Sequence, residues 1–243
     1  MATSYLNRTQ SSATSDKIGT FSAWIKVNDA PNLAVFSGHT DSSNRVALYL
    51  NETLRVYGAI GGSQSVYFIT NRVFRDPSSF YHIVIAWDTT QGTEANRFKI
   101  YVNGVQETSF ATEVYPPQNA DVYWNKGTTS IVGARFVSAI QNHFEGSMSH
   151  VHFIDGTAYT PSAFGETDTT TGEWKAKTSP SVTYGNNGFL ILKDGNTITD
   201  QSSNSNDFTL SAGTLTDLKD NPDNNFATLD PLNVPASNAP TFS

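Results

Sequence analysis

Apolar and polar residues alternate along several short stretches of the chain, with the period of two that is typical of half-buried β-strands. Residues 21–27 show this period, and so do residues 46–50, 54–56 and 98–102. Residues 81–87 are apolar on both faces. This pattern predicts a central strand that is covered on both sides of its sheet.

Turn-forming residues separate these stretches. Asn103-Gly104 lies between two strand-like segments and predicts a tight β-hairpin. The helical pattern is limited to a single turn over residues 160–164, with Thr160 as N-cap and Pro161 at the first helical position. Many short strands joined by turns predict an all-β fold, a two-sheet antiparallel jelly-roll sandwich.

The composition changes near residue 196, toward Asn, Asp, Ser, Thr and Pro with scattered apolar residues such as Phe208 and Leu210. A segment of this kind cannot build its own core. We therefore predict a sandwich domain over residues 1–195 and an extended C-terminal strap over residues 196–243, packed on the sandwich or on a partner. Its end, residues 231–243, contains three prolines and is predicted to be an extended arm.

Composition and charge exclude several classes of protein. The 243 residues include no Cys, which excludes disulfides, thiolate zinc sites and a thiol nucleophile. With 22 Asp and Glu against 15 Lys and Arg, the net charge of −7 argues against a nucleic-acid partner. The apolar runs are too short to span a membrane, and the N-terminus has no signal-peptide pattern.

Two pairs of segments resemble strands of the concanavalin A-like lectin/glucanase superfamily, in its laminin-G-like and pentraxin-like branch. Residues 81–88 with 98–104 resemble one hallmark strand pair of that branch. Residues 144–153 with 159–164 resemble a second hallmark strand and the short turn after it, and residues 130–133 precede them as in the family. The resemblance implies a concanavalin A-like sandwich.

Further segments are similar to laminin-G-like proteins of tailed phages, notably marine ones: residues 4–9, 73–77, 152–156, 164–166, 184–189 and 226–232. This resemblance implies a virion structural protein, either a capsid decoration or the head of a fibre. The expected partners are other virion proteins and host glycans, and the expected state in the particle is a homo-oligomer. The protein would be made in the host cytoplasm and located in the virion.

The acidic residues do not form the pattern of a sandwich glucanase. Such enzymes carry two carboxylates on one strand, about 5 Å apart in the retaining type. Glu166 and Asp168 come nearest to this pattern, but they lie in a Thr- and Gly-rich segment that predicts a surface loop. We expect the protein not to be an enzyme, and a glycoside hydrolase is the less favoured alternative.

Metal sites are weakly indicated, and no cofactor is predicted. Pentraxin-like relatives carry an acidic calcium cluster before their second hallmark strand, but residues 134–143 contain no carboxylate and Ser149 replaces the family's Asp. Residues 200–207 fit an Asx-rich turn better than a calcium loop. His150 and His152, two apart on a strand, suit polar positions of a sheet face better than a zinc pair.

Aromatic residues in turn-rich, polar stretches suggest a carbohydrate site. Flat rings beside amide and guanidinium groups can stack on sugars and bond their hydroxyls. Tyr123, Trp124 and Asn125, with Arg135 and Asn142, are the predicted rim of that site. Packing under loops and anchoring of a protein partner are alternatives for the same rings.

The leading prediction is therefore a non-enzymatic phage virion surface protein with a lectin-like sandwich. A stand-alone carbohydrate-binding lectin is the alternative. Glycan binding distinguishes the two, because a pure decoration protein should bind no glycan.

Overall fold

The computed structural model describes residues 4–27, 32–195, 197–218 and 222. The strands in this part of the chain are β1 (Tyr5–Thr9), β2 (Ile18–Val27), β3 (Leu33–Asp41), β4 (Asn44–Asn51), β5 (Thr53–Ile60), β6 (Ser63–Val73), β7 (Tyr81–Asp88), β8 (Phe98–Val102), β9 (Val105–Gln106), β10 (Phe110–Val114), β11 (Thr129–Val132), β12 (Arg135–Phe136), β13 (Ile140–Gln141), β14 (Gly146–Asp155), β15 (Gly165–Thr167), β16 (Trp174–Ala176), β17 (Phe189–Ile191) and β18 (Thr209–Ala212). The helices are α1 (Tyr123–Lys126) and the 3-10 turns Glu94–Asn96 and Pro161–Ala163. No helix among the described residues is long and apolar enough to cross a membrane.

The strands form two large antiparallel sheets and two small hairpins. The eight-stranded sheet has the order β10-β6-β5-β4-β3-β11-β1-β18, and the six-stranded sheet has the order β17-β14-β2-β7-β8-β9. Strands β12 and β13 form one hairpin, and β15 and β16 form the other. This arrangement confirms the predicted all-β antiparallel sandwich.

The main core lies between the two large sheets. Phe21 of the six-stranded sheet stacks on Phe36 of the eight-stranded sheet, with 4.7 Å between their ring centroids. Leu48 and Ile85 are fully buried in the same cluster. Apolar burial of this kind is the dominant favourable contribution to folding.

Strand β7 is covered on both faces, as predicted. Ile83 and Ile85 point into the main core, whereas Val84 and Ala86 belong to a second buried cluster that includes Phe164. The second cluster forms because the chain after β14 packs on the outside of the six-stranded sheet. This sheet therefore has no open outer face around β7.

The Asn103-Gly104 hairpin also forms as predicted, between β8 and β9. Asn103 has φ of 49° and Gly104 has φ of 81°. Two successive positive φ angles are those of a type I′ turn, which matches the right-handed twist of the strands. The predicted helical turn is the 3-10 turn Pro161–Ala163.

The described part of the predicted strap lies on the sandwich. Strand β18 pairs with β1 and forms the edge of the eight-stranded sheet. The carboxylate of Asp200 accepts hydrogen bonds from the backbone N–H groups of Leu190, Ser202 and Asn206, so the Asx-rich loop closes on itself. The rest of the strap, residues 196, 219–221 and 223–243, lies outside the described residues.

Candidate functional site

Trp124 belongs to the main core, which corrects its prediction as part of an exposed rim. Its exposed fraction is 0%, and its ring centroid lies 5.1 Å from that of Trp87 and 5.9 Å from that of Phe36. Helix α1 packs against β3 and places this indole between the sheets. Tyr123 is half-buried and packs against the same cluster.

Asn125 is also buried, with an exposed fraction of 1%. Its amide nitrogen donates hydrogen bonds to the backbone oxygens of Ser15 and Ile18, the latter at 2.8 Å, and to a carboxylate oxygen of Asp155 at 3.3 Å. These bonds tie helix α1 to the start of β2. The side chain is a structural link, and its prediction as a sugar ligand is wrong for this conformation.

Arg135 and Asn142 come together at the β12–β13 hairpin. The Nε–H of Arg135 donates a hydrogen bond to the amide oxygen of Asn142 at 2.8 Å. The backbone oxygen of Asn142 accepts a bond from the N–H of Ala34 at 3.0 Å, which anchors the hairpin on β3. The guanidinium of Arg135 lies over the ring of Tyr49, 4.5 Å from its centroid.

Tyr49 belongs to the outer face of the eight-stranded sheet. On β4 it alternates with Val46, Leu48 and Leu50, which point into the main core. With Ala34, Ala47 and Tyr57 it forms a separate small cluster. Arg135 of the predicted rim thus lies over an aromatic ring that the prediction did not include, and Asn142 is bonded to this arginine.

Two more tyrosines continue this outer face across the sheet. Tyr57 pairs with Ala47 of β4 on one side and with Tyr67 of β6 on the other. The two tyrosine rings meet edge to face with 5.8 Å between their centroids, and both are half-buried. Val114 of β10 follows in the same row.

Two further arginines lie on this face. Arg45 places its guanidinium over Tyr57, 5.6 Å from the ring centroid. Arg55 is opposite Tyr49 in the β4–β5 pair, and its Nε–H donates to Thr53 Oγ1 at 3.4 Å. We call the surface formed by Tyr49, Tyr57, Tyr67, Arg45, Arg55 and Arg135 the Tyr/Arg face.

The period-two pattern contained the signal for the Tyr/Arg face. Residues 46–50 and 54–56 predict strands with Val46, Leu48 and Val56 inward, so the residues between them must point outward. Because those outward residues include tyrosine and arginine, they are candidate ligand contacts. Only the pairing of β4 with β5 and of β5 with β6, which sequence does not specify, shows that they lie together.

A buried histidine, His82, belongs to β7 of the six-stranded sheet and lies on the face of that sheet away from the main core. His82 stacks on Trp24 with 4.6 Å between centroids, and its Nδ1 accepts a hydrogen bond from the indole N–H of Trp174 at 2.9 Å. The neutral imidazole therefore carries its proton on Nε2 and donates it to Ser22 Oγ, at 2.9 Å. Burial, followed by the charge of His150, lowers the pKa of His82 to about 3.

This arrangement has a chemical consequence for Ser22. A general base must have a free lone pair toward the hydroxyl whose proton it removes. The Nε2 of His82 donates to Ser22 instead, because Nδ1 is already an acceptor. The pair is thus a structural contact between β2 and β7, and it lacks the arrangement of a catalytic serine and its base.

The residues present do not fit the calcium site of pentraxin-like relatives. The loop of residues 134–143, which would supply acidic ligands, forms the β12–β13 hairpin and contains Arg135 in place of a carboxylate. Calcium requires several oxygen ligands, mainly carboxylates and carbonyls. Within the described residues, no group of three or more His, Cys, Asp or Glu side chains could hold a metal ion.

A groove of about 530 Å³ lies at one end of the sandwich. Its lining includes Tyr5, Phe144, Met148 and Leu218. Among the described residues, its lining includes one tyrosine and no arginine. The groove is therefore a weaker candidate for a sugar site than the Tyr/Arg face.

Comparisons with known proteins agree with the sandwich. A family model described as the concanavalin A-like lectin/glucanases superfamily matches residues 2–165. A comparison with curated proteins gave no match.

Solved structures share the fold at low sequence identity. A heptameric SAP-like pentraxin from Limulus polyphemus is 15% identical with a TM-score of 0.50, covering 79% of this chain and 89% of the pentraxin. A putative carbohydrate binding protein from Bacteroides ovatus is 16% identical with a TM-score of 0.56, covering 90% of this chain and 58% of that protein. Tailspike protein 2 of Escherichia coli O157:H7 bacteriophage CAB120 is 13% identical with a TM-score of 0.45, covering 66% of this chain and 22% of the tailspike.

Proposed function

Because the chain belongs to the concanavalin A-like lectin/glucanases superfamily, we propose that it is a non-enzymatic, glycan-binding protein of a phage virion surface, either a capsid decoration protein or the head of a fibre. In this proposal the protein is made in the host cytoplasm and assembles as a homo-oligomer with other virion proteins. Its Tyr/Arg face adheres to glycans of the host surface.

The Tyr/Arg face is the observation that supports glycan binding. Tyrosine rings offer flat apolar area for the C–H face of a sugar ring, with a hydroxyl at the edge for hydrogen bonding. Tyr57 and Tyr67 are adjacent and half-buried, so they are held in place before a ligand arrives. Preorganised rings lose little side-chain entropy on binding, which favours affinity.

The environments of the acidic residues support the non-enzymatic part of the proposal. A glycosidase needs a carboxylic acid with a raised pKa as its general acid. Hydrogen bonding from Lys175, at 2.9 Å, lowers the pKa of Asp168 to about 2. Glu107 accepts a 2.7 Å bond from the guanidinium of Arg72. Turnover of a polysaccharide that is lost in the Glu145→Gln or Glu166→Gln variant would instead establish the hydrolase alternative.

The virion part of the proposal rests on the sequence segments that are similar to tailed-phage proteins. Mass analysis of purified virions tests it, with the copy number of this chain compared with that of the major capsid protein. Hundreds of copies would indicate a capsid decoration, and a handful would indicate a tail or vertex fibre. Absence of the chain from virions would contradict the virion role and favour the stand-alone lectin, for which the Tyr/Arg face would still be the binding surface.

Glycan binding is tested on the full chain with a glycan array, followed by titration of the strongest ligand. We expect Tyr57→Ala and Tyr67→Ala each to weaken binding about five- to a hundredfold. The range takes the stacking of a sugar ring on tyrosine to be similar to that of a nucleic-acid base on an aromatic ring, about 1–3 kcal/mol. Tyr5→Ala is the matched control, since Tyr5 is likewise half-buried on a strand of the same sheet. Binding that is unchanged in both face variants and lost in the control would place the site elsewhere.

A further inference from the structure

The three arginines of the Tyr/Arg face have no acidic partner among the described residues. No carboxylate oxygen in this part of the chain lies within 4 Å of Arg45, Arg55 or Arg135, whereas Arg72 and Arg75 both have one. Within the described part of the chain, the hydrogen bonds of Arg55 and Arg135 use only their Nε–H groups. The terminal nitrogens of these guanidinium groups are therefore available to an incoming anion.

The guanidinium groups are also held in position. Arg135 is fixed from two directions, by its bond to Asn142 and by its position over the ring of Tyr49. Arg45 is held over Tyr57. A guanidinium stacked on an aromatic ring keeps its planar fork pointing outward, and that fork matches a carboxylate or sulfate in two parallel hydrogen bonds.

The spacing of these groups suits an extended ligand. Arg55 and Arg135 flank Tyr49, since Arg55 is its cross-strand partner and Arg135 lies over its ring. Arg45 pairs with Ala59, four residues further along β5 from Arg55. At the rise of a β-strand and the spacing between strands, the Cα atoms of Arg45 and Arg55 are about 14 Å apart. An anion-bearing chain could thus contact both ends of the face.

Acidic residues in the two turns that border β4 have partners outside the face. Asp41 accepts hydrogen bonds from Ser43 and Asn44 within its own turn. Glu52, in the β4–β5 turn, lies 3.7 Å from the guanidinium of Arg75. Strand β4, between these two turns, places Arg45, Ala47 and Tyr49 outward, and Arg55 and Arg135 lie beside it, so a positively charged patch lies on a chain of net charge −7.

We infer that the Tyr/Arg face binds acidic polysaccharides, with sugar rings on Tyr57 and Tyr67 and carboxylate or sulfate groups on the arginines, while Tyr49 is buried and supports Arg135. The inference rests on the proposed glycan-binding function and specifies its ligand class. Single-stranded nucleic acid is the other ligand that combines flat rings with anions. The net charge of −7 disfavours it, because binding to nucleic acid is dominated by Lys and Arg contacts to the phosphates.

The experiment is calorimetric titration of the full chain with four polymers of different charge class, of which dextran sulfate and dextran share one backbone. Polygalacturonate carries carboxylates, dextran sulfate carries sulfates, dextran is neutral, and oligo-dT provides phosphates with flat rings. We expect binding of polygalacturonate, dextran sulfate or both, at least tenfold tighter than binding of dextran or oligo-dT. The comparison of the first two identifies the anionic group.

The variants Arg55→Ala and Arg135→Ala locate the site. Each should weaken binding of the acidic polysaccharide about ten- to a hundredfold, since a hydrogen bond to a charged group is worth about 1.5–3 kcal/mol. The control is Arg75→Ala, whose side chain is 72% exposed and lies outside the face. Circular dichroism melting should show that all three variants remain folded, and binding should fall with added salt in the wild type.

The outcomes separate this inference from the proposed function. Equal or tighter binding of dextran, or of neutral glycans on the array, would overturn the acidic preference and leave glycan binding intact. Preferential binding of oligo-dT would overturn both and indicate a nucleic-acid face. Absence of binding to every polysaccharide and array glycan would contradict the proposed function itself, whereas equal losses in Arg55→Ala and Arg75→Ala would contradict the location.

Discussion

Acidification should destabilise the protein through its buried histidines, and His82 allows the size of this effect to be worked out. Protonation of Nδ1 would place a hydrogen where the indole N–H of Trp174 now donates. Because burial lowers the folded-state pKa to about 3, the folded protein keeps this imidazole neutral through mildly acidic conditions. In the unfolded chain the same group binds a proton below pH of about 6.5.

The sign of the effect follows from this difference. The stabilisation is fully present above pH of about 6.5 and is lost as the pH falls toward 3, because the unfolded state binds the extra proton. Each pH unit well below 6.5 removes about 1.4 kcal/mol of this stability per histidine, so His82 accounts for about 2 kcal/mol between pH 7.5 and pH 5. The pKa of His152 is also lowered, first by burial and then by His150, so it adds to the same loss.

Urea unfolding at pH 7.5, 6, 5.5 and 5 measures this loss directly. The His82→Gln variant keeps an acceptor for Trp174 and a donor for Ser22 and removes the titrating group. We expect its free energy of unfolding to fall by about 2 kcal/mol less than that of the wild type between pH 7.5 and pH 5. The His152→Gln variant should show the same direction of change. Identical pH slopes in the wild type and both variants would refute the burial argument.

Three further predictions follow from particular contacts. Trp124→Ala should lower the free energy of unfolding by about 3–5 kcal/mol in urea titrations, because it removes a buried core ring, and it should leave glycan affinity unchanged in the variant that remains folded. Asp155→Ala should cost about 3 kcal/mol or more by the same assay, since it leaves the N–H groups of Thr14, Ser15 and Asn187 without their acceptor; a loss below 1 kcal/mol would contradict this role. Chelation with EDTA should leave the melting temperature unchanged, because the loop of residues 134–143 supplies no carboxylate; a drop of several degrees would show a structural metal ion.

Local patterns were sufficient for the features that depend on one segment. The alternation of residues 21–27 and the Asn103-Gly104 turn specify a strand and a hairpin by their own geometry. The apolar run at residues 81–87 similarly predicts a strand covered on both faces, because both sets of side chains avoid water.

Features that depend on distant segments could not be predicted in this way. Trp124 lies in a polar, turn-rich stretch, and only its insertion between the sheets makes it a core residue. His150 and His152 have the spacing of one sheet face, but the register shifts between Ser149 and His152, where His150 has φ of 49°. A bulge of this kind alters which way side chains point, and its position depends on the neighbouring strand.

The candidate site likewise combines residues that one segment predicts with a contact that depends on a distant segment. Arg135 and Asn142 were predicted from residue type, and the structure places them together. The aromatic partner of Arg135 is Tyr49, 86 positions earlier in the chain, because the β12–β13 hairpin folds over the outside of the eight-stranded sheet. Pairing across such a separation is a property of the whole sandwich, so the pattern of either segment alone does not reveal it.

The Tyr/Arg face is the proposed glycan-binding surface. Amide chemical-shift mapping shows which residues of the protein a glycan contacts. An isotope-labelled sample of the full chain is titrated with an oligosaccharide fragment of the tightest-binding polysaccharide. We expect the largest changes in amide chemical shift to cluster on β4, β5, β6 and the β12–β13 hairpin, around Tyr49 and Tyr57. Shifts confined to the groove beside Phe144, or to the layer around Trp174, would contradict it.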